Sequence, residues 1–159
     1  CKQKIQIMNA FKIYISCPIA LPVRTLAKYV TAAKVLGTEV TFWKRDSTYR
    51  ETPNIKACDA FVLILPGECF RHPVSTLPNG CKLEIEYAQK VGKTIFIGYT
   101  TAEGIVRFYE SDISANSIKG IPGSSHNLPN TIKTYHPRRT SSIEKKSEID
   151  LVIVPVPYI

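Results

Sequence analysis

Residues 60–65, Ala60-Phe61-Val62-Leu63-Ile64-Leu65, are apolar without a break and are closed by Pro66. A run of that length and character suits a strand buried on both faces, the condition of a central strand in a parallel sheet. A chain with such a strand needs helices to cover it, and the flanking sequence supplies them in alternation. Residues 12–16 alternate and are rich in β-formers, so they predict a strand, stopped where Pro18 removes a ladder donor. Residues 22–36 predict a helix, because Leu26, Tyr29, Val30, Ala33 and Val35 or Leu36 recur at helical spacing, with Pro22 in the first turn and Gly37 as the stop. Residues 39–43 predict a second strand, 44–49 a polar loop and 53–58 a short helical piece. Beyond the apolar run, residues 66–78 hold three prolines and read as a loop, 80–91 as a helix stopped by Gly92, and 94–98 as a fourth strand.

Strand, helix, strand, helix, strand, helix, strand is the order of an α/β protein whose parallel sheet carries helices on both faces. With right-handed crossovers the expectation is a flavodoxin-like, Rossmann-type doubly wound sheet, mainly parallel. The whole chain, 1–159, is expected to be a single domain, with residues 1–11 as a leader. Past Thr100 the pattern weakens. Residues 102–109 read as a helix, 111–148 as Ser-, Asn-, Pro- and Gly-rich loops, and 151–156 as an edge strand interrupted by Pro155.

The apolar runs are too short for a membrane span, and the N-terminal residues lack the layout of a secretion signal. Five cysteines (Cys1, Cys17, Cys58, Cys69, Cys81) include no CxxC pair, and His72, His126 and His136 do not cluster with them, which argues against a zinc site and for reduced thiols in a cytoplasm. No metal or cofactor is expected. The net charge of +8 permits an anionic partner, but much of the excess lies in the tail, at Lys133, Arg138, Arg139, Lys145 and Lys146. A solvated basic tail accounts for it, and no nucleic-acid-binding signature accompanies it.

One carboxylate stands out. In the helix after the apolar strand, Leu83, Tyr87, Ala88 and Val91 form the stripe expected to pack on the sheet, and Glu84 borders that stripe in what reads as a first turn. Dipole complementarity alone would explain an acid there, at about 0.3–1 kcal/mol. Position adds a second explanation, since ligands of doubly wound sheets bind outside the carboxyl ends of the strands. Glu84 follows the third strand at that edge. The turn Ser16-Cys17-Pro18-Ile19-Ala20 ends at the same edge, and Asp59 joins it if the loop before strand three folds back.

Three segments carry a family pattern: Lys12-Ile13-Tyr14-Ile15-Ser16-Cys17-Pro18-Ile19, Ile55-Lys56-Ala57-Cys58-Asp59-Ala60-Phe61-Val62-Leu63, and the stretch from Gly80-Cys81-Lys82-Leu83-Glu84 through Ile85-Glu86-Tyr87-Ala88 to Lys93. Over residues 12–100 the chain resembles the nucleoside 2-deoxyribosyltransferase family and its deoxynucleoside monophosphate N-glycosidase relatives. The resemblance implies that Glu84 is the nucleophile of a covalent ribosyl-enzyme intermediate, that Asp59 helps handle the base, and that Tyr14 positions the nucleophile. It places sugar or 5′-phosphate at Ser16, Cys17, Pro18 and Ile19, and a substrate-binding role at Asn79 and Gly80. It also implies a homo-oligomer, with Asn116 as the candidate for the polar residue lent by a neighbouring subunit. Two departures stand in the pattern. The Asp usual six residues before the nucleophile is Pro78, and the family's EIGYA is Glu84-Ile85-Glu86-Tyr87-Ala88. Glu68 or His72, in the loop of residues 66–79, is the candidate replacement for the missing acid.

The implied chemistry is retaining glycoside cleavage of a nucleoside or nucleoside 5′-monophosphate, with water or a second base as acceptor. Trp43, Arg45, Asp46 and Tyr49 follow strand two. An aromatic there could stack on the base and Arg45 could meet a phosphate, or Trp43 could be core and the rest a wet loop. Tyr87 reads as packing and Cys17 as a bystander. Three other readings stay open: a TIR-like nicotinamide dinucleotide glycohydrolase, which also uses a glutamate, a nucleotide sensor without turnover, and a nucleic-acid-associated protein working through the tail.

Overall fold

Four parallel strands carry the site and three antiparallel ones extend their sheet. In the computed structural model, which describes residues 10–42 and 52–135, the chain runs β1 (Phe11–Ser16), α1 (Val23–Val35), β2 (Thr38–Phe42), α2 (Thr52–Ala57), β3 (Ala60–Leu63), β4 (Arg71–Pro73), α3 (Asn79–Lys90), β5 (Ile95–Thr100), β6 (Val106–Ile113), β7 (Ser117–Gly120) and α4 (Asn127–Lys133). Single 3₁₀ turns at Pro66–Glu68 and Val74–Thr76 flank β4. The strand order is β2-β1-β3-β5-β6-β7-β4. β1 pairs in parallel with β2 and β3, and β3 with β5, while β5–β6, β6–β7 and β4–β7 are antiparallel. Phe11–Thr134 forms one compact unit, and this fold is that unit's.

The apolar run becomes β3 and its extension, and Phe61 to Leu65 are fully buried. Each such side chain contributes about 1.5–3 kcal/mol through burial. Strand alternation sorts the core into two faces. Tyr14, Phe61, Leu63 and Ile97 pack with Ile55 of α2 and with Cys81, Ile85 and Ala88 of α3. The opposite face takes α1, whose buried Tyr29 ring lies against Gly98. A Cβ on Gly98 would come within 3.1 Å of that ring, so the glycine gives Tyr29 its seat. The chain is thus α/β, with helices on both faces of a mixed seven-stranded sheet. No described helix is long and apolar enough to cross a membrane.

The second half departs from the sequence reading. Residues 102–109, expected as a helix, instead form a turn and the first half of β6. The turn is closed by Gly104 N–H donating to Thr101 O (2.8 Å) and Thr101 N–H to Ile105 O (2.9 Å), with Gly104 at φ +85°. Val106, Phe108 and Tyr109 are β-formers, and β5 has an edge that they pair. Residues 111–148, expected as loops, hold the end of β6, β7 and α4. Short elements bounded by Ser, Asn and Gly leave a weak periodic signal. Phe11, assigned to the leader, opens β1, and Val35, offered as a stripe position of α1, is 79% exposed. The expected edge strand at 151–156, the basic residues from Arg138 to Lys146, His136 and Cys1 lie outside the described residues.

The segment between β3 and α3 is held down by rings. Phe70 packs edge-on to Tyr99 (5.1 Å between centroids) and Tyr109 (4.9 Å). It does so over Gly120, where a Cβ would come within 2.6 Å of two Phe70 ring atoms. Gly120→Ala is therefore expected to displace Phe70 and destabilise the fold by about 1–3 kcal/mol, an overpacking penalty measurable by urea denaturation. An unchanged midpoint would show that the ring swings aside freely.

Candidate active site

Tyr14 and Ser16 lie two residues apart on β1, so both side chains stand on the α3 face, Ser16 at the carboxyl end of the strand. Both are shut off from solvent, Tyr14 at 0% and Ser16 at 1% exposure. A buried hydroxyl needs a partner, and here both find the same one. Tyr14 Oη donates to Glu84 Oε2 at 2.8 Å and Ser16 Oγ to Glu84 Oε1 at 2.6 Å. The Ser16 bond has the length of a hydroxyl bond to a charged oxygen, and the Tyr14 bond that of an ordinary hydroxyl bond. One oxygen each, the two donors fix the carboxylate's plane and rotamer from strand residues that are themselves immobile in the core.

The helix geometry differs from the expected one in two respects. α3 starts at Asn79, so Glu84 stands in its second turn, beyond the reach of a helix-end charge effect that fades within the first. The hydroxyls of β1, not the helix dipole, hold the carboxylate. The buried stripe is Cys81, Ile85 and Ala88, whereas Leu83, expected inside, is 65% exposed. Glu84 borders the true stripe and is half-buried; Glu86 is exposed as expected, and Tyr87 packs against the core.

Cys81, one turn before Glu84, escaped the sequence reading. Its thiol hydrogen-bonds Ser16, and burial, the largest cause, pushes its pKa up to about 11, so it stays a neutral thiol at physiological pH. The signal was available: residues 81 and 84 share a helix face as Tyr14 and Ser16 share a strand face. Ser16 itself, expected to bind substrate, is buried with its hydroxyl on Glu84. The Cys58 thiol, buried behind β3, is likewise raised to about 11 by burial. Cys17, Cys58, Cys69 and Cys81 form no disulfide.

The rim is set by the turn after β1 and the start of α3. Leu21 N–H closes the turn onto Pro18 O at 3.0 Å, leaving Cys17 half-buried, Pro18 buried and Ile19 62% exposed. Asn79 and Gly80, exposed, open α3 after Pro78. Trp43, Arg45, Asp46 and Tyr49 lie outside the described residues.

Asp59 does not join this group. It pairs with Lys12 at the start of β1, where Lys12 N–H donates to Asp59 Oδ2 at 2.9 Å and Asp59 N–H to Lys12 O at 2.7 Å. The register Ile13↔Ala60 and Ser16↔Leu63 puts Asp59 four residues down the sheet from Ser16. At about 3.3 Å per residue that is roughly 13 Å. The loop before β3 does not fold back, because the strand enters the sheet from the opposite edge.

Of the two substitute acids, Glu68 lies in the turn after β3 at the carboxyl edge, with its side chain on the α1 side. It accepts from Tyr29 Oη (2.7 Å) and from Lys28 Nζ (3.1 Å), and Tyr29 Oη also meets Thr100 Oγ1 at 2.9 Å. Burial foremost raises the Tyr29 hydroxyl pKa well above the ordinary range, so it remains a donor. These bonds hold Glu68 at φ +54°, a left-handed conformation uncommon for Glu. His72 lies on β4, the far end of the strand order from β1, with Nδ1 3.0 Å from Pro73 O. Asn116 is exposed in the turn between β6 and β7, its carbonyl accepting from Val74 N–H at 3.0 Å.

No family model, no curated protein and no solved structure matches the chain. Chemically, the arrangement of Tyr14, Ser16, Cys81 and Glu84 is an immobilised carboxylate at the crest of a parallel sheet. Such a group can accept a proton, bind a cation or attack an electrophilic carbon.

Proposed function

We propose that this chain cleaves the N-glycosidic bond of a nucleoside or nucleoside 5′-monophosphate, with Glu84 as the nucleophile. The observation that carries the reading is the double hydrogen bond from Tyr14 and Ser16 onto Glu84 at the carboxyl edge. That is where ligands reach sheets of this kind. A Rossmann-like, flavodoxin-type core is the finer fold this reading assumes, with a homo-oligomer in a reducing cytoplasm as its setting. Glu84 attacks the anomeric carbon, the base departs, and water or a second base releases the sugar from the carboxylate. Tyr14 and Ser16 hold the attacking group in line and spread its charge before and after the ester exists.

The test is incubation with a panel of ribo- and deoxyribonucleosides and their 5′-monophosphates, assayed for free base by chromatography, with Glu84→Ala beside the unaltered chain. Base release that depends on Glu84 is the expected result. Release that survives the substitution would remove Glu84 from the mechanism. A nucleotide sensor would instead bind members of the panel and leave them intact.

A further inference from the structure

A further side chain reaches the carboxylate at one remove. Cys81 stands in the buried stripe of α3, one turn before Glu84, is 3% exposed, and hydrogen-bonds Ser16 through its thiol. The Ser16 hydroxyl has one proton to give, and at 2.6 Å it gives it to Glu84 Oε1. What Ser16 offers the thiol is therefore a lone pair, so the sulfur is the donor of their bond. A thiol donates only while it keeps its proton, and burial, with the Glu84 charge adding to it, keeps this one protonated at physiological pH. The bonds run in series, from Cys81 Sγ–H to Ser16 Oγ and from Ser16 Oγ–H to Glu84 Oε1. They leave α3 at residue 81, pass through β1 and return to α3 at residue 84.

Packing alone would be served by an apolar side chain at 81, as it is by Ile85 and Ala88 in the same stripe. Only a donor completes the series, and donors in series polarise one another. From this geometry we infer that Cys81 is a positioning residue for the nucleophile: its thiol fixes the rotation of the Ser16 hydroxyl, holding that proton on Glu84 and the carboxylate in its attacking orientation. The inference rests on the proposed role of Glu84. In this role the sulfur forms no bond to substrate and exchanges no proton; it acts through Ser16.

The test uses the full-length chain, with folding of every variant checked by circular dichroism, and follows base release from the panel of nucleosides and 5′-monophosphates. Cys81→Ala is expected to lower kcat by about 3–10-fold with KM unchanged, the scale of one neutral hydrogen bond felt in the transition state. Cys81→Ser, whose hydroxyl also donates, should restore most of the loss. In a Ser16→Ala background Cys81→Ala should cost nothing further, because the thiol acts only through that hydroxyl. A second readout needs no turnover. The Cys81 S–H stretching band, identified in the infrared spectrum by its loss in Cys81→Ala, should move to higher frequency in Ser16→Ala, where its acceptor is gone. A band that stays in place, full kcat in Cys81→Ala, no rescue by serine, or an equal loss in both backgrounds would each overturn the inference and, with Glu84→Gln inactive, leave the glycosidase reading standing. No base release from the unaltered chain, or release that Glu84→Gln retains, would overturn both.

Discussion

Glu84→Gln is expected to fold as the unaltered chain does and to lose N-glycoside cleavage by about 10⁴-fold or more, the scale on which nucleophile removal acts. The amide keeps the shape of the carboxylate. Its oxygen can accept one of the two hydroxyls, and its NH₂ can donate to the other, because Tyr14 and Ser16 hydroxyls both donate and accept. The buried hydroxyls therefore remain satisfied, and stability should change little. A purely structural Glu84 predicts the same stability and no change in turnover, so the pair of measurements separates the two roles. Tyr14→Phe and Ser16→Ala each remove one hydrogen bond to a charged group, a net effect of about 1.5–3 kcal/mol, or roughly 10–150-fold if it is felt in the transition state. Rapid-quench mass spectrometry of the active chain should show a sugar adduct on the peptide containing Glu84. Full activity in Glu84→Gln would end the nucleophile assignment, whatever the adduct analysis gave.

Much of this arrangement was readable from residues alone, for a physical reason. Burial on two faces forces the unbroken apolar run of β3, and period two in β1 forces Tyr14 and Ser16 onto one face, so neither needs tertiary knowledge. The carboxylate at 84 could be placed beside a buried stripe because helical spacing is rigid, although the stripe came out rotated, with Cys81 and Ile85 inside and Leu83 outside. Helix starts are set by local capping, and α3 begins at Asn79 with Pro78 before it, one residue earlier than the sequence reading put it. Asp59 was misplaced because its position depends on which edge of the sheet the chain enters from, a long-range property with no local signal. The β6–β7 extension was missed for a related reason. Its strands are stabilised by an edge of β5 distant in kind from anything in their own periodicity, and tertiary pairing overrides a weak propensity.

Phe61→Ala is expected to have the largest effect on stability of any substitution considered, about 3–5 kcal/mol. Phe61 is fully buried in the central strand β3, in register with Tyr14 on β1, and their ring centroids stand 5.6 Å apart. Truncation removes apolar area and leaves a cavity that two flanking strands and α3 cannot collapse into without moving the sheet. Against a total stability of about 5–15 kcal/mol this brings the chain near the threshold of folding. The corresponding fall in Tm is roughly 10–20 °C for a domain of this size. Phe61→Leu retains most of the volume and should cost clearly less, which keeps the comparison measurable if the alanine variant does not fold. The consequence reaches the site, because the Tyr14 ring loses the neighbour that fixes its tilt while its hydroxyl still carries one of the two bonds to Glu84. In Phe61→Leu, at a temperature where the chain remains folded, turnover should therefore fall by more than the folded fraction does. Thermal melts and activity followed on the same samples would decide this, and activity that tracks the folded fraction alone would show that Tyr14 is held by the strand backbone without help from the ring beside it.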